Sequence, residues 1–583
     1  MTEYFEVHER DSAARLGEVR LDDPRQTPAL VDDLLVDGGS LWPTERELPD
    51  GDDSILTVLP HRGFPGGTPT EVQEAFAVEY PDVDFPSAAV VSPATACDYG
   101  ADAYVLSNAQ EIAGHAAAFV DAVIQTREAI PADTALYMSG VATPGNVSIL
   151  AYAGVDLFDA DRAVVKGTQG KYLTTDGEYF LSDLSELPCA CPACQTPREE
   201  FGPEECAEHN EAVLRGELAR VRQRIRDGRL RDYIEGQARH EQWHTAVFRR
   251  LDDQYSYLES RTPVIRRADL TASADDTLRR VEIQRFAERV TTRYRNRFEK
   301  PLVIVPCSAR KPYSESQSHS QFHDAIQFRA HMVSMTSPIG VVPQELELTY
   351  PAQHYDTVVT GRWTPTEREF VANVLEAYLA RNEYPRIIAH VPGEGYRDIC
   401  ERVENALGLE FEYTAVDHPT TTESLSNLAS TLSGESKYLK REREHNTIRA
   451  TADYQFGDGA GDDLFEEFQT EARYPKLRVR SPEGDQLAMQ VAQYGVLSLT
   501  IAGARRWVES DVPTRRVEID EFVPHGSVLA PGVVDASEEI RPGDEVVIEG
   551  PRAFAVGRAA MSGPEMVEST RGIASTVRHV EER

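Results

Sequence analysis

Short apolar runs alternate with longer amphipathic stretches through the first half of the chain. The runs at 56–60, 88–92, 135–139 and 155–158 are too short for helices and predict strands. Segments 71–78, 109–127 and 147–153 space their apolar residues at the helical period and predict helices. Strands alternating with helices predict an α/β domain on a parallel sheet. From 208 to about 251 the chain is charged, nearly free of Gly and Pro, and helical in period. Another charged amphipathic helix is predicted over 275–299. It runs into PLVIVPCSAR, whose apolar stretch reads as a buried strand ending at a cysteine. YDTVVTG and PRIIAHV predict further strands, and GYRDICERVENAL a helix after the second. A Ser/Thr-rich linker at 420–436 and a short module around 440–510 follow. From 511 onward RRVEID, SVLAPGVV, DEVVIEG, AFAVGRAA and TVRHV are short β runs separated by Gly, Pro and Asp, the texture of a small barrel. No internal repeat is present. The expected fold is α/β multidomain, with domains at 1–265, 266–435, 436–510 and 511–583. The second is expected to be a Rossmann-like α/β domain and the third a small α+β module.

Composition narrows the setting. At 583 residues the chain has room for about four domains. Basic residues number 60 and acidic residues 97, a formal charge of -37, with seven lysines among the basic residues. Hydrophobic residues make up 41%, enough for real cores, so the acidity does not signal disorder. Scarce lysine in an acidic background looks like adaptation to a salt-filled cytoplasm, where molar salt screens charge beyond about 3 Å. No apolar run is long enough to span a membrane, and the N-terminus lacks the basic start and apolar core of a signal peptide. A cytoplasmic protein with no membrane partner is expected.

The seven cysteines are an odd number, and four lie between 189 and 206, which reads as metal plus a nucleophile rather than a disulfide framework. Cys189, Cys191 and Cys194 with His209 supply four soft ligands for a structural, tetrahedral Zn2+. Cys206 is the alternative fourth ligand. His240-Glu241-Gln242-Trp243-His244 matches a zinc-protease pattern, but no third ligand follows and a solvated helix face is the better account. The acidic loop 457–463 lacks calcium-loop spacing and reads as a solvated turn.

The second concentration of chemistry is Pro306-Cys307-Ser308-Ala309-Arg310-Lys311-Pro312-Tyr313-Ser314-Glu315-Ser316-Gln317-Ser318-His319. Cys307 closes a strand, where α/β domains bind ligands. Lys311, Arg310 and His319 are basic groups able to favour its thiolate. The alternative is a buried cysteine followed by a polar loop.

Two family resemblances organise these residues. Gly154-Val155-Asp156-Leu157-Phe158-Asp159, Gly170-Lys171-Tyr172-Leu173, LPCACPACQTP and the helix ending IRDGRL resemble the tRNA-guanine transglycosylase family over about 150–232. That resemblance implies a TIM-type barrel, here truncated, with a zinc site of three cysteines and a histidine. Asp159 falls on the family's nucleophilic aspartate, but the Asp-Ser-Gly-Gly segment of its second catalytic aspartate is missing. Asp159 is therefore expected to be a relic or structural acid. The order Pro-Cys-x3-Lys-Pro-Tyr-x2-Ser-x2-His, with Val342-Pro343, Glu345, Glu347, Tyr350-Pro351, His354-Tyr355-Asp356, Gly361 and Trp363, resembles the archaeosine synthase family, paralogues of archaeal transglycosylases. The end of the chain resembles a PUA RNA-binding domain, with Arg571, Gly572, Arg578 and His579 as candidate RNA contacts.

The resemblance implies conversion of the nitrile of preQ0, at position 15 of tRNA, toward the formamidine of archaeosine. Cys307 would form a thioimidate, Lys311 or His319 would move protons, and Tyr313 and Ser316 would place the nitrile nitrogen. Glu345, Glu347 or Asp356 would hold the donor's ammonium. Lysine is the implied nitrogen donor, glutamine the alternative, and a radical-SAM partner protein finishes the reaction. A homodimer is an open option. The remaining alternatives are base exchange by a working transglycosylase and a non-catalytic tRNA-binding subunit.

Overall fold

Strand Ala135–Met138 is buried at every position, as a strand covered on both faces must be. It lies inside a seven-stranded sheet in the computed structural model of the protein, which describes residues 3–357, 362–393 and 395–583. The strands run in the order Ala29–Leu30, Leu157–Phe158, Ala135–Met138, Ala103–Leu106, Ser87–Val91, Leu56–Val58, Leu35–Asp37. Every neighbouring pair is parallel. Among the described residues the sheet does not close, so the architecture is a half-barrel. The predicted helix over 109–127 is two, Ala109–Ile112 and Ala116–Ala129, because Gly114 between them adopts φ 98°, which ends a right-handed helix.

The chain divides into two compact units. The first comprises Met1–Pro263, Ser527–Pro542 and Ala559–Thr576; the second comprises Val264–Gly526, Gly543–Arg558 and Val577–Arg583.

The second unit is built on strand Leu302–Pro306. Its apolar side chains alternate between two buried faces. Leu302 and Ile304 join Ile283, Phe286, Leu375 and Tyr378 on one side, and Val303 and Val305 join Phe322, Ile326 and Leu428 on the other. The sheet order is Gly340–Pro343, His331–Thr336, Leu302–Pro306, Ile387–Ala389, Phe411–Tyr413, parallel except for the first pair. The chain starts in the middle, adds two strands on one side and then crosses to the other. This places a topological switch point at the carboxyl ends of Leu302–Pro306 and Ile387–Ala389.

Helix Lys440–Phe456 then packs with the antiparallel sheet Gln469–Glu471, Arg478–Arg480, Gln486–Val491, Val496–Leu499 around the fully buried Trp507. The acidic loop at 457–463 is not a free solvated turn. Asp458 accepts from Arg295 at 2.6 Å, and Arg297 donates to Asp453 at 2.6 Å and to Asp462 at 2.8 Å. The final segment supplies short strands: Arg516–Ile519 runs parallel to Glu545–Gly550, which pairs antiparallel with Ala553–Ala559, and Ser527–Leu529 pairs antiparallel with Ile573–Glu582. Among the described residues no helix is long and apolar enough to cross a membrane.

Candidate metal centre and thiol site

The cysteine cluster assembles in the first unit. The ligand atoms of Cys189, Cys191, Cys194 and His209 lie within 4.8 Å of one another, the only such group of three or more metal-ligating side chains among the described residues. Nδ1 of His209 stands 3.4 Å from Cys191 Sγ and 3.3 Å from Cys194 Sγ. These lengths approach the edges of a tetrahedron with metal–sulfur bonds of about 2.3 Å and metal–nitrogen bonds of about 2.0 Å. Nε2 of His209 lies 2.9 Å from the Leu173 carbonyl, which fixes the proton there and leaves Nδ1 facing the thiols. Tyr172 stacks on the imidazole at 3.7 Å and its hydroxyl reaches Cys194 Sγ at 3.3 Å. Next along helix Pro203–Arg226, Asn210 accepts from the Leu173 amide at 2.8 Å and donates to the Lys171 and Ala163 carbonyls, both at 2.9 Å. The donor set fits a thiophilic metal held by four protein ligands. Cys206 is buried outside the group, so His209 is the fourth member.

The protease-like pattern does not form a site. His240 sits in the turn before helix Gln242–Asp253, so the two imidazoles do not share a helical face. Nor is the segment a wholly solvated face, since His244 is buried beside Trp243.

Asp159 follows strand Leu157–Phe158 and is buried. One carboxylate oxygen accepts from the Tyr137 hydroxyl and the Gly140 amide, both at 2.8 Å, and the other accepts from the Asp161 amide at 3.2 Å. Three hydrogen bonds therefore fix the orientation of the Asp159 carboxylate.

In the second unit Cys307 follows strand Leu302–Pro306 directly, half-buried at the switch point. Its Sγ lies 3.4 Å from the hydroxyl of Tyr396, the first residue of helix Tyr396–Leu407. Trp363 packs on the Tyr396 ring with centroids 4.4 Å apart. Lys311 places its ammonium 3.8 Å from the centroid of Tyr355. Burial lowers the Lys311 pKa, while the negative charges of Cys307, Asp356 and Asp269 draw it back up. Tyr313 and Tyr355 share a hydrogen bond of 2.6 Å, and Tyr355 reaches Thr336 at 2.9 Å. Burial pushes both phenols above their ordinary range.

Ser316 caps helix Gln317–Ile326, its hydroxyl accepting from the His319 amide at 3.2 Å. Both imidazole nitrogens of His319 face serine hydroxyls, Nδ1 at 3.1 Å from Ser316 and Nε2 at 3.0 Å from Ser334, and the ring stacks on Tyr313 at 4.8 Å. Burial holds this imidazole down at about 3, with His323 adding to the effect. Glu347 anchors the same loop, accepting from the Ser314 amide at 2.8 Å and the Tyr474 hydroxyl at 2.5 Å. Glu345 is buried 3.0 Å from His331, whereas Asp356 is exposed. Gly361 lies outside the described residues.

At the end of the chain the Arg578 guanidinium pairs with buried Glu545 and donates to the Leu499 carbonyl at 3.1 Å. His579 is exposed, Arg571 is half-buried, and the Gly572 carbonyl accepts from the Ala530 amide at 3.0 Å. Sequence reading gave Tyr396 no role. Its only signal was the Gly-x-Gly-Tyr run at the head of a helix after PRIIAHV.

Family models match along the chain: queuine tRNA-ribosyltransferase over residues 80–242, a domain of unknown function (DUF5591) over 283–432, the patch-forming domain C2 of tRNA-guanine transglycosylase over 446–513, and the PUA domain over 516–580. The half-barrel, the metal-ligand cluster and these matches define a multidomain protein of the tRNA-guanine transglycosylase class. An archaeosine synthase of Haloferax volcanii is 66% identical over 585 residues, covering 100% of both chains. An archaeosine synthase subunit alpha of Methanosarcina acetivorans is 41% identical over 628 residues, again covering 100% of both. A tRNA-guanine(15) transglycosylase of Methanothermobacter thermautotrophicus is 27% identical over 483 residues, covering 79% of this chain and 68% of that one. The chain belongs to the archaeosine synthase family.

Proposed function

We propose that this chain acts on tRNA already carrying preQ0 at position 15 and adds an amine to its nitrile on the way to archaeosine. The observation that carries the reading is Cys307, half-buried at the carboxyl end of the central parallel strand with the Tyr396 hydroxyl 3.4 Å from its sulfur. A nitrile carbon is electrophilic, and a thiolate adds to it to give a thioimidate. An amine then displaces the thiolate, so one hard addition becomes two easier ones. The Lys311 ammonium interacts electrostatically with Cys307. Tyr313 and the tyrosine pair it makes with Tyr355 shape the wall beside the sulfur. Ser316 and His319 are assigned to positioning, because their polar atoms are spent on the helix cap and on Ser334.

Free lysine is the donor in this reading, with glutamine as the alternative, and a radical-SAM partner cleaves the adduct. Exposed Asp356, whose charge acts on Lys311, suits a donor ammonium better than buried Glu345 or Glu347. The four-ligand cluster is assigned to Zn2+, which when bound supplies a crosslink and no open coordination position. Residues 1–265 carry that centre and 266–435 the thiol chemistry; 436–510 is a small module, and 511–583 carries the RNA contacts. Arg571 and exposed His579 are the side chains we place nearest RNA, with Gly572 in the turn and Arg578 holding the strand.

The test is mass spectrometry of nucleosides from preQ0-tRNA incubated with the protein and lysine or glutamine at high potassium chloride. Cys307→Ala should form no adduct while still binding tRNA. Full adduct formation by that variant sinks the thioimidate. Wild-type protein that forms no adduct with either amine points to an RNA-holding subunit, and incorporation of labelled free base into unmodified tRNA points to base exchange.

A further inference from the structure

The switch point brings two loops together. Cys307 ends the first strand of the sheet. The second loop follows Ile387–Ala389 and closes at Gly395, which caps helix Tyr396–Leu407 with φ 72° and ψ −61°. A side chain at 395 would be strained in that conformation, so glycine there sets the helix start and the placement of its first residue. That residue, Tyr396, is 4% exposed and puts its hydroxyl 3.4 Å from Cys307 Sγ. Trp363 covers its ring, and Ile399 and Cys400 on the same helix join the core beneath it.

We propose that Tyr396 is a catalytic residue of this centre: its hydroxyl donates to the Cys307 thiolate and passes its proton to the nitrile nitrogen as the carbon–sulfur bond forms. This rests on the reading of Cys307 as the group that attacks the nitrile. Burial, reinforced by the charge of Cys307, holds the phenol above its ordinary range, so it enters the reaction protonated and acts as the donor. The other titratable groups that sense this sulfur are Lys311, Tyr313 and Tyr355, with Asp356 and Asp269 behind Lys311.

The step balances. The sulfur lone pair forms the bond to carbon, one π bond of the nitrile breaks, and its electron pair goes to nitrogen. Nitrogen takes the Tyr396 proton, leaving a phenolate. The donor amine arrives as an ammonium and returns a proton to that phenolate, which makes it a neutral nucleophile. Its attack forms the carbon–nitrogen bond and expels the thiolate. The product leaves as an amidinium, and both residues are restored. Tyr396 thus serves as acid in the first half and base in the second.

The test uses the full chain at molar potassium chloride with Tyr396→Phe, which removes one oxygen and keeps the ring under Trp363. Iodoacetamide labelling of Cys307, followed against pH by peptide mass spectrometry, should show the thiol titrating higher in the variant. Labelling below the inflection should be slower by about tenfold, the scale of a lost hydrogen bond to a charged group. Turnover of preQ0-tRNA with lysine should fall by about 10²- to 10⁴-fold in kcat, with KM for tRNA unchanged. A variant with the wild-type labelling profile and wild-type kcat overturns the proposal. If Cys307→Ala is inactive while Tyr396→Phe is unaffected, only the role of Tyr396 falls. If Cys307→Ala stays active, the nitrile-addition reading falls with it. Should the phenylalanine chain fail to fold, 3-fluorotyrosine at 396 replaces it. Its more acidic phenol must move the pH dependence of turnover downward, and an unmoved profile overturns the proposal.

Discussion

His319 shows how burial fixes the protonation state of a residue that reads as chemistry. Its imidazole is fully buried between Ser316 and Ser334 and held at about 3, so it is neutral in the folded chain throughout the physiological range. In the unfolded chain it protonates near its ordinary value of about 6.5. Above that pH both states are neutral and the group is indifferent to folding. Below it the unfolded state alone gains a proton, so stability falls as pH falls, by up to about 1.4 kcal/mol per pH unit for one such group. His323, held at about 4, adds to the same slope. His319→Gln should flatten the fall in melting temperature between pH 6.5 and 5 by one group's share. An unchanged slope would mean the imidazole is already charged in the folded protein. The motif from Cys307 to His319 was legible because its members are neighbours in the chain. Tyr396 was not, because only the crossover between strands brings it to the sulfur across a sequence separation of 89.

At the level of elements, legibility followed length and burial. Ala135–Met138 and Leu302–Pro306 are wholly or almost wholly buried, and their unbroken apolar runs stood out. Ala29–Leu30 and Leu35–Asp37 span two and three residues, too few for any period to register, and the sheet rather than the sequence makes them strands. The cysteine cluster was readable from spacing alone, since Cys189, Cys191 and Cys194 lie within one loop. What spacing left open was the fourth ligand, and helix Pro203–Arg226 decides it by directing His209 rather than Cys206 to the thiols. A metal held by this cluster would therefore tie the loop to the helix. Removing the metal with a chelator, or blocking its binding with Cys191→Ser, should lower the melting temperature and expose Cys189 and Cys194 to alkylation. Native mass spectrometry should find one metal per chain before treatment and none after. Unchanged melting with the metal gone would show that the ligand set does not support the fold.

For the whole molecule the governing quantity is the formal charge of -37. Its ion pairs do not offset that excess. Exposed or half-exposed bridges such as Arg386 with Glu412 and Glu435, or Arg480 with Glu471, are each worth about 0–1 kcal/mol and weaken in salt. The buried pairs, Arg15 with Asp156 and Arg231 with Asp252, are screened far less by added salt. Salt therefore acts on two exposed contributions of opposite sign: a few weak attractions, which it removes, and the mutual repulsion of many unpaired carboxylates, which it also removes. The second is larger, because 97 acidic residues face 60 basic ones and every uncompensated carboxylate repels all others within a Debye length. That length shrinks from about 10 Å at 0.1 M salt to about 3 Å at 1 M. The melting temperature of the intact chain should accordingly rise steadily as potassium chloride goes from about 0.1 M to molar concentrations. A conservative swap of exposed glutamates for glutamines away from any bridge should raise the low-salt value and leave the high-salt value almost unmoved. Melting that falls with salt would place the exposed bridges, not the carboxylate excess, in control of stability.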